Sequence, residues 1–484
     1  MAEIEKLAQK AIDKAVSLGA TYADCRYVET KSESLSFVDG SPEAVASNTD
    51  IGLGLRVIAD GAWGFYGTSL LTQGEIIPAA EWAVRIAKGS TACAKNRIPV
   101  ELAPIEPYTE SFHSNYRIDP FSVGLQQKLE FLANLDRLMC HDSQVNSRSA
   151  NLDFRKTQSY FASTIGSRIN QTIIHSGVGI ELGIKKSRRE QFIRSFPQNG
   201  GQYECKGYEL LDEFDFAAEI PRLSEEAIAL ASAADCPGVT ANVILEGSVV
   251  SLVIHELVGH PLELDRVFGS ERNFSGTSFA TTDLLDKLQY GSEIVNIVSD
   301  TTHPYGLGSF GYDDEGVKAH KVDLIKNGIL VGYLSSRESA LQIGRASSGA
   351  MRAEGWGNIP LIRMTNTNLL PGDRTVNELI AAAGDGLYMS TISSWSPSDD
   401  RSSFEFGCEI AWEIKGGKLG QVYKNPTFSG RTVDFWNSVR AIGNEAAFRV
   451  WGTPNCGKGQ PGQNARTGQG ASPILVANLK VGGS

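Results

Sequence analysis

The sequence predicts an α+β protein in two parts: an α/β-type N-terminal domain over residues 1–236 and a β-rich C-terminal domain over residues 237–484. Three observations carry this reading. In the first half, apolar stripes of helical period flank runs that alternate polar and apolar side chains. In the second half, short strand-like runs and many glycines replace the helical stripes. Between them, Cys236-Pro237-Gly238 is the sharpest break.

The opening segment carries Ile4, Leu7, Ala8, Ala11, Ile12 and Ala15 on one stripe and stops at Gly19, so it reads as a helix. Strand-like runs follow over 22–28, 34–38 and 51–58, with Asp39-Gly40 and Asp60-Gly61 as hairpin turns. A second helix is expected over about 74–88, beginning late enough to keep Pro78 in its first turn. A third covers about 125–139, and Ser224 is placed as the cap of a fourth that runs to 234. Residues 148–195 alternate as half-buried antiparallel strands do. In the second half, strands are expected at 241–245, 322–325, 330–333 and 404–414, and Thr375-Val-Asn-Glu378 is a capping box that opens a short helix ending at Gly384.

Composition narrows the function classes. The chain has 484 residues, 41% hydrophobic and 21% charged, which excludes wholesale disorder. A net charge of −11 argues against direct nucleic-acid binding. No stretch reaches the ~18 apolar residues of a membrane helix. The start, Met1-Ala-Glu-Ile-Glu-Lys, lacks the pattern of a signal peptide. Seven scattered cysteines without a CxxC pair read as reduced thiols, and the expected location is the cytoplasm.

The strongest chemical signal runs from Ser248 to Asp265 and contains His255, Glu256 and His260, an H-E-x-x-x-H pattern. Imidazoles bind zinc, and a carboxylate beside the metal can deprotonate a water. In the familiar H-E-x-x-H motif the histidines share a helix face at i and i+4. Here Gly259 holds that position. On a regular helix, five residues leave the two rings roughly 140° apart, so the helix is expected to break near Gly259 and swing His260 back. The bland alternative is an ordinary polar pair at a helix end. A third ligand is needed, and His303, His320, Glu263, Asp265, Cys408 and Cys456 are the candidates. Cys408 sits in a strand-like run, where a thiol is usually buried core. Cys456 sits in a glycine-rich stretch read as a loop, where ligation and an inert thiol stand side by side.

The motifs H-E-L-V-G-H-P-L-E (255–263), Y-D-D-E-G (312–316), N-G-I-L-V-G-Y (327–333), R-M-T-N-T (363–367), L-P-G (370–372), N-C-G-K-G-Q (455–460) and N-L-K-V-G-G (478–483) follow one another in order. With them the chain resembles the TldD/PmbA family of zinc metallopeptidases, also described as modulators of DNA gyrase, and within it the TldD-type catalytic branch. The resemblance spans 255–483; residues 1–235 agree only in general shape. It implies that His255, His260 and Cys456 bind Zn2+ and that Glu256 is the catalytic base. It further implies a metallopeptidase acting on peptides or unfolded polypeptides, at a site enclosed in a homodimer or in a heterodimer with a PmbA/TldE-type homologue. Pro261 departs from the glycine the family commonly has there. Two other function classes remain open: a regulatory protein of the gyrase-modulator type, and a zinc hydrolase of a non-peptide amide. Asp313, Asp314 and Glu315 are read either as groups orienting the ligands or as a polar turn, Arg363 and Asn366 either as substrate-backbone contacts or as a structural turn. His303 and His320 read as ordinary polar histidines. The catalytic helix, apolar around much of its surface, is expected to be buried.

Overall fold

Alternation along the strand Tyr22–Val38 organises the first half of the molecule. In the computed structural model, which describes residues 2–93, 98–188 and 190–482, its odd-numbered side chains face helices and its even-numbered ones face the second half of the chain. Met1 and Gly483, the last residue of the closing motif, lie outside the described residues. Ala23, Cys25 and Tyr27 pack with the helices Ala2–Ser17 and Gln73–Cys93; Leu35 and Phe37 pack with Leu125–Met139 and Phe216–Ser232. The sheet has eight strands. Ala62–Thr68, Ser41–Ala59, Tyr22–Val38, Ser147–Ser163 and Arg168–Lys185 lie antiparallel in that order, and Thr109–His113 adds parallel to the last.

The second half contains a sheet in which five strands pair in a closed circuit: Gly386–Pro397, Val239–Leu245, Ile474–Val481, Thr427–Arg431 and Ser403–Lys415. The helix Gly247–Ile254 follows directly on Val239–Leu245 and packs its valines with Met389, Phe406 and Phe428 from that circuit. This half also holds a four-stranded sheet, the short pair Met351–Arg352/Leu361–Ile362 and the hairpin Arg449–Lys458/Gln463–Ala471. With 26% helix and 41% strand, the mixed α and β content and the β-rich second half match the expected fold class. No helix among the described residues is long and apolar enough to cross a membrane.

Several elements differ from expectation. The runs read as 22–28, 34–38 and 51–58 are two long strands, Tyr22–Val38 and Ser41–Ala59, paired through positions 29–33 and 47–51. Backbone pairing needs no apolar side chains, so the polar, largely exposed ribbon there left no periodic trace. The second helix starts at Gln73 and carries Pro78 inside it. The fourth begins at Phe216, where the Asp215 side chain accepts from Ala218 N at 3.0 Å, while Ser224 lies mid-helix and donates to Ile220 O. The capping box at Thr375 and Glu378 is present as expected.

The even face of the first sheet is clamped to the second half by buried charge. Asp314 lies 3.2 Å from Arg26, and Glu315 lies 3.1 Å from Arg56, which also binds Asp24 at 2.7 Å. Trp356 lies across Gly52 and Gly54, where a Cβ on Gly52 would come within 2.2 Å of its ring. The acidic Asp313-Asp314-Glu315 turn therefore joins the two halves, and among the described residues its carboxylates bond arginines and backbone N–H groups: Asp313 accepts from the backbone of Glu315, Val317 and Met351.

Candidate metal centre

The helix that begins at Gly247 does not break at Gly259. It widens into a π-turn over His255–Gly259, in which the His260 N–H donates to the His255 carbonyl. A hydrogen bond from i to i+5 stacks residues five apart, so the two imidazoles meet with ring centroids 4.9 Å apart. Gly259 keeps ordinary helical angles, φ −57° and ψ −64°. Its glycine is required by packing instead, because a Cβ would fall 1.9 Å from Met364 Sδ. The departure from helix comes later, at Glu263, with φ −74° and ψ 114°. Pro261 has no N–H to offer the Leu257 carbonyl four residues back; Tyr290 Oη donates to that carbonyl instead, at 2.5 Å.

Cys456 is not in a loop. It lies on the strand Arg449–Lys458, next to a register shift and opposite Ala465, and is buried. Its Sγ stands 3.6 Å from His260 Nε2. One ligand atom from each of His255, His260 and Cys456 falls within 4.8 Å of the others, and all three residues are buried. The cluster holds none of the other third-ligand candidates. Cys408 is buried on the strand Ser403–Lys415, where burial pushes its thiol well above the ordinary value. His320 Nδ1 lies 2.8 Å from the Lys318 carbonyl, and Asp265 takes Lys458 Nζ at 2.7 Å.

Glu263 has a different part. Its Oε2 lies 3.0 Å from His260 Nδ1, which leaves Nε2 directed at the thiol. The carboxylate is fully buried. Desolvation works against its charge, but Lys458, His260 and Arg266 outweigh it and hold the group well below the usual range. Burial likewise opposes the Cys456 thiolate, yet His260 and Arg363 bring the thiol below its ordinary value. His255 is pulled down by burial toward the neutral imidazole that ligates metals, and its Nδ1 is buried without a hydrogen-bond partner. Glu256, second residue of the π-turn, is buried and faces Arg401, whose Nε lies 3.5 Å from its Oε2.

Arg363 and Asn366 are spent on structure. Arg363 Nη2 donates to the Cys456 carbonyl and Nη1 to that of Gln463, fixing the hairpin. Asn366 bonds Asp300 O, Ser309 Oγ and Gly308 N. Sequence reasoning missed Lys458 and Arg401. For Lys458 the signal depended on recognising the strand Arg449–Lys458, where two residues after Cys456 means the same face. Arg401 lies in the polar stretch Ser398-Asp-Asp-Arg-Ser-Ser403, which carries no such signal.

Known proteins place this site in context. Residues 238–483 match the family model described as the PmbA/TldA metallopeptidase C-terminal domain, and residues 23–87 match metallopeptidase domain 1 of the same family. The chain is 29% identical to a metalloprotease from Methanocaldococcus jannaschii over 96% of this chain and 97% of that one. It is 26% identical to a zinc metalloprotease TldD homologue from Saccharolobus solfataricus over 98% and 99%. Its fold is similar to a proposed modulator of a DNA gyrase from Thermotoga maritima (TM-score 0.78, 17% identity, 99% and 100% coverage). It is also similar to TldE from Thermococcus kodakarensis (TM-score 0.74, 14% identity, 99% and 100% coverage). A family match over more than half its length, together with end-to-end similarity to these metalloproteases, shows that the chain belongs to the PmbA/TldD metallopeptidase family.

Proposed function

We propose that this protein is a zinc-dependent peptidase in which His255, His260 and Cys456 hold the metal and Glu256 is the general base. The observation that carries the reading is the buried triad of ligand atoms within 4.8 Å of one another. Two imidazoles and a thiolate are a zinc donor set. The spacing of one pair already suits that ion: bonds of about 2.3 Å to sulfur and about 2.0–2.1 Å to nitrogen at a tetrahedral angle put N and S about 3.6 Å apart, and Cys456 Sγ and His260 Nε2 stand at 3.6 Å. That Nδ1 of His255, itself one of the three ligand residues, is buried without a hydrogen-bond partner is in keeping with ligation.

Zinc, when bound, supplies Lewis acidity toward the scissile carbonyl and lowers the pKa of a water. The chain's own residues do the rest. Glu263 holds His260 in the tautomer that presents Nε2, and Glu256 takes a proton from the water and passes it to the leaving amine. Arg401, whose Nε lies 3.5 Å from Glu256 Oε2, helps hold that carboxylate in position.

The buried setting supports peptides or unfolded polypeptides as substrates over packed domains. The similarity to TldE supports assembly as a dimer, with an identical chain or with a TldE-type homologue. Retention of reduced thiols suits the cytoplasm. The test is Glu256→Gln beside the parent enzyme, assayed on one protein in native and permanently unfolded form. Zinc content should be unchanged and turnover of the unfolded form should drop about 10²–10⁴-fold, with the native form spared by both. Full activity in the variant would move the proton transfer to another residue, and equal cleavage of native protein would remove the restricted-access reading.

A further inference from the structure

Beside the Cys456 hairpin lies a cavity with about 890 Å³ of empty space, part of it open to solvent. One wall is the first sheet; the other includes Pro454 and Ala465, the latter being the cross-strand partner of Cys456. The cavity therefore abuts the backbone that carries the thiol.

Its walls carry four arginines against three carboxylates, with Arg26 buried and the other three half-buried. Arg26 and Arg155 come from the sheet, Arg352 and Arg466 from the second half of the chain. Arg26 is matched by Asp314, and Arg466 by Asp153. Arg155 and Arg352 have no ion pair among the described residues. They donate to backbone carbonyls, Arg155 to Glu354 at 3.1 Å and Arg352 to Met364 at 3.0 Å and Arg466 at 2.6 Å. The lining carboxylates Glu354 and Asp314 act on them only without direct pairing. Asp313 and Glu354 accept from backbone N–H groups, and Asp314 is shared between Arg26 and the Ala353 N–H. Burial and neighbouring cations pull Arg155 and Arg352 down to about 10.

Free donors meet in the same place. His175 is only 7% exposed, lines the cavity, and has no hydrogen-bond partner on either ring nitrogen. Burial and the nearby Arg466, Arg155 and Arg352 keep it neutral, so it carries one N–H. Arg466 Nη1 is also buried without a partner. Buried donors left without a partner are costly, and such a set suits a planar anion that accepts several bonds at once.

We propose that this cavity takes a carboxylate of the peptide substrate, held by Arg155, Arg352 and Arg466 with His175 as a further donor. The preference then falls on peptides that place a C-terminal carboxylate or an acidic side chain there, and a free N-terminal ammonium is repelled. The assignment of this carboxylate to a substrate rests on the peptidase reading above.

The test uses zinc-loaded Glu256→Gln protein and calorimetry with one peptide in three forms: a free C-terminal acid without acidic side chains, its C-terminal amide, and that amide carrying an internal Glu. The neutral amide should bind about tenfold more weakly or worse, and the form that keeps its affinity identifies which carboxylate is read. In Arg155→Gln and Arg466→Gln added to the same protein, the three forms should bind alike. Arg155 has no ion pair to lose, so its variant serves if Arg466→Gln does not fold. Equal affinity for all three forms in the starting protein, or a preference unchanged in the folded arginine variants, overturns the assignment. Turnover of the same peptides by the parent enzyme separates the two readings. A binding preference without cleavage removes the peptidase and leaves a carboxylate site; cleavage without any preference removes the carboxylate site alone.

Discussion

His255 and His260 come together through one widened helical turn, whereas Cys456 reaches them from a hairpin 196 positions away. The first arrangement is local: a single i to i+5 hydrogen bond sets the angle between the rings. The second is held by long-range bonds, Arg363 onto the Cys456 carbonyl and Lys458 onto Glu263 and Asp265. Lys458 ties the two parts together, since it shares a strand with Cys456 and an ion pair with the carboxylate that orients His260. The difference teaches that identity of the ligands is most exposed to mutation on the hairpin side, and geometry on the helix side.

The largest effect is expected where the hairpin contributes its ligand. Cys456→Ser replaces a soft thiolate by a poor donor and should strip most of the bound zinc, measured by elemental analysis, while Cys408→Ser keeps it. Stoichiometric zinc in Cys456→Ser would leave the helix side to find another third ligand. Next comes the link between the two parts. Glu263→Gln weakens the hold on His260 Nδ1 and should lower metal affinity about 10–100-fold in a chelator competition. An unchanged affinity would mean that the π-turn alone orients the ring.

A smaller effect tests the helix side without touching a ligand. Gly259→Ala drives a methyl into Met364 and should cost about 1–3 kcal/mol in urea unfolding, partly recovered when Met364→Ala is added. If the single variant is as stable as the parent, the close approach does not constrain the turn. The smallest effect lies outside both parts and serves as a reference. Glu409, held between Arg194 and Ser195, is pushed up by burial to about 7. Its folded form therefore binds a proton more tightly than the unfolded chain, so its contribution is complete below about pH 4.5 and is lost as pH rises through about 7. Between pH 6 and pH 7.5 this group should remove about 1 kcal/mol of stability. Glu409→Gln should flatten that part of the curve; an unaltered slope would assign the pH dependence elsewhere.

Much of the fold was legible because its signals are local. The stripe on Ala2–Ser17, the Thr375 box and the Ser403–Lys415 run each announce themselves within a few residues. The ribbon through 29–33 and 47–51 was not legible, because sheet pairing between polar, exposed strands leaves no apolar period. The cap of the helix Phe216–Ser232 was misplaced at Ser224 for a related reason. Ser224 has the chemistry of a cap, but its hydroxyl bonds back to Ile220 within the helix, and Asp215 does the capping.

What the sequence determined by itself is the reactive inventory: two histidines and a glutamate within six consecutive residues, on an apolar segment bound to be buried. Spacing in one helix is a local property, so the chemistry could be read before the structure. The tertiary structure decided everything that depends on distant segments meeting. It turned an unfavourable five-residue spacing into a π-turn, with Met364 demanding glycine at 259 and Tyr290 taking the carbonyl that Pro261 cannot. It brought Cys456 to His260 and left Cys408 in the core. It also spent Arg363 and Asn366 on structural hydrogen bonds and set Arg155 and Arg352 in one cavity without an ion pair among the described residues. Burial and pairing belong to positions in space, and residues far apart in the chain acquire them only when it folds.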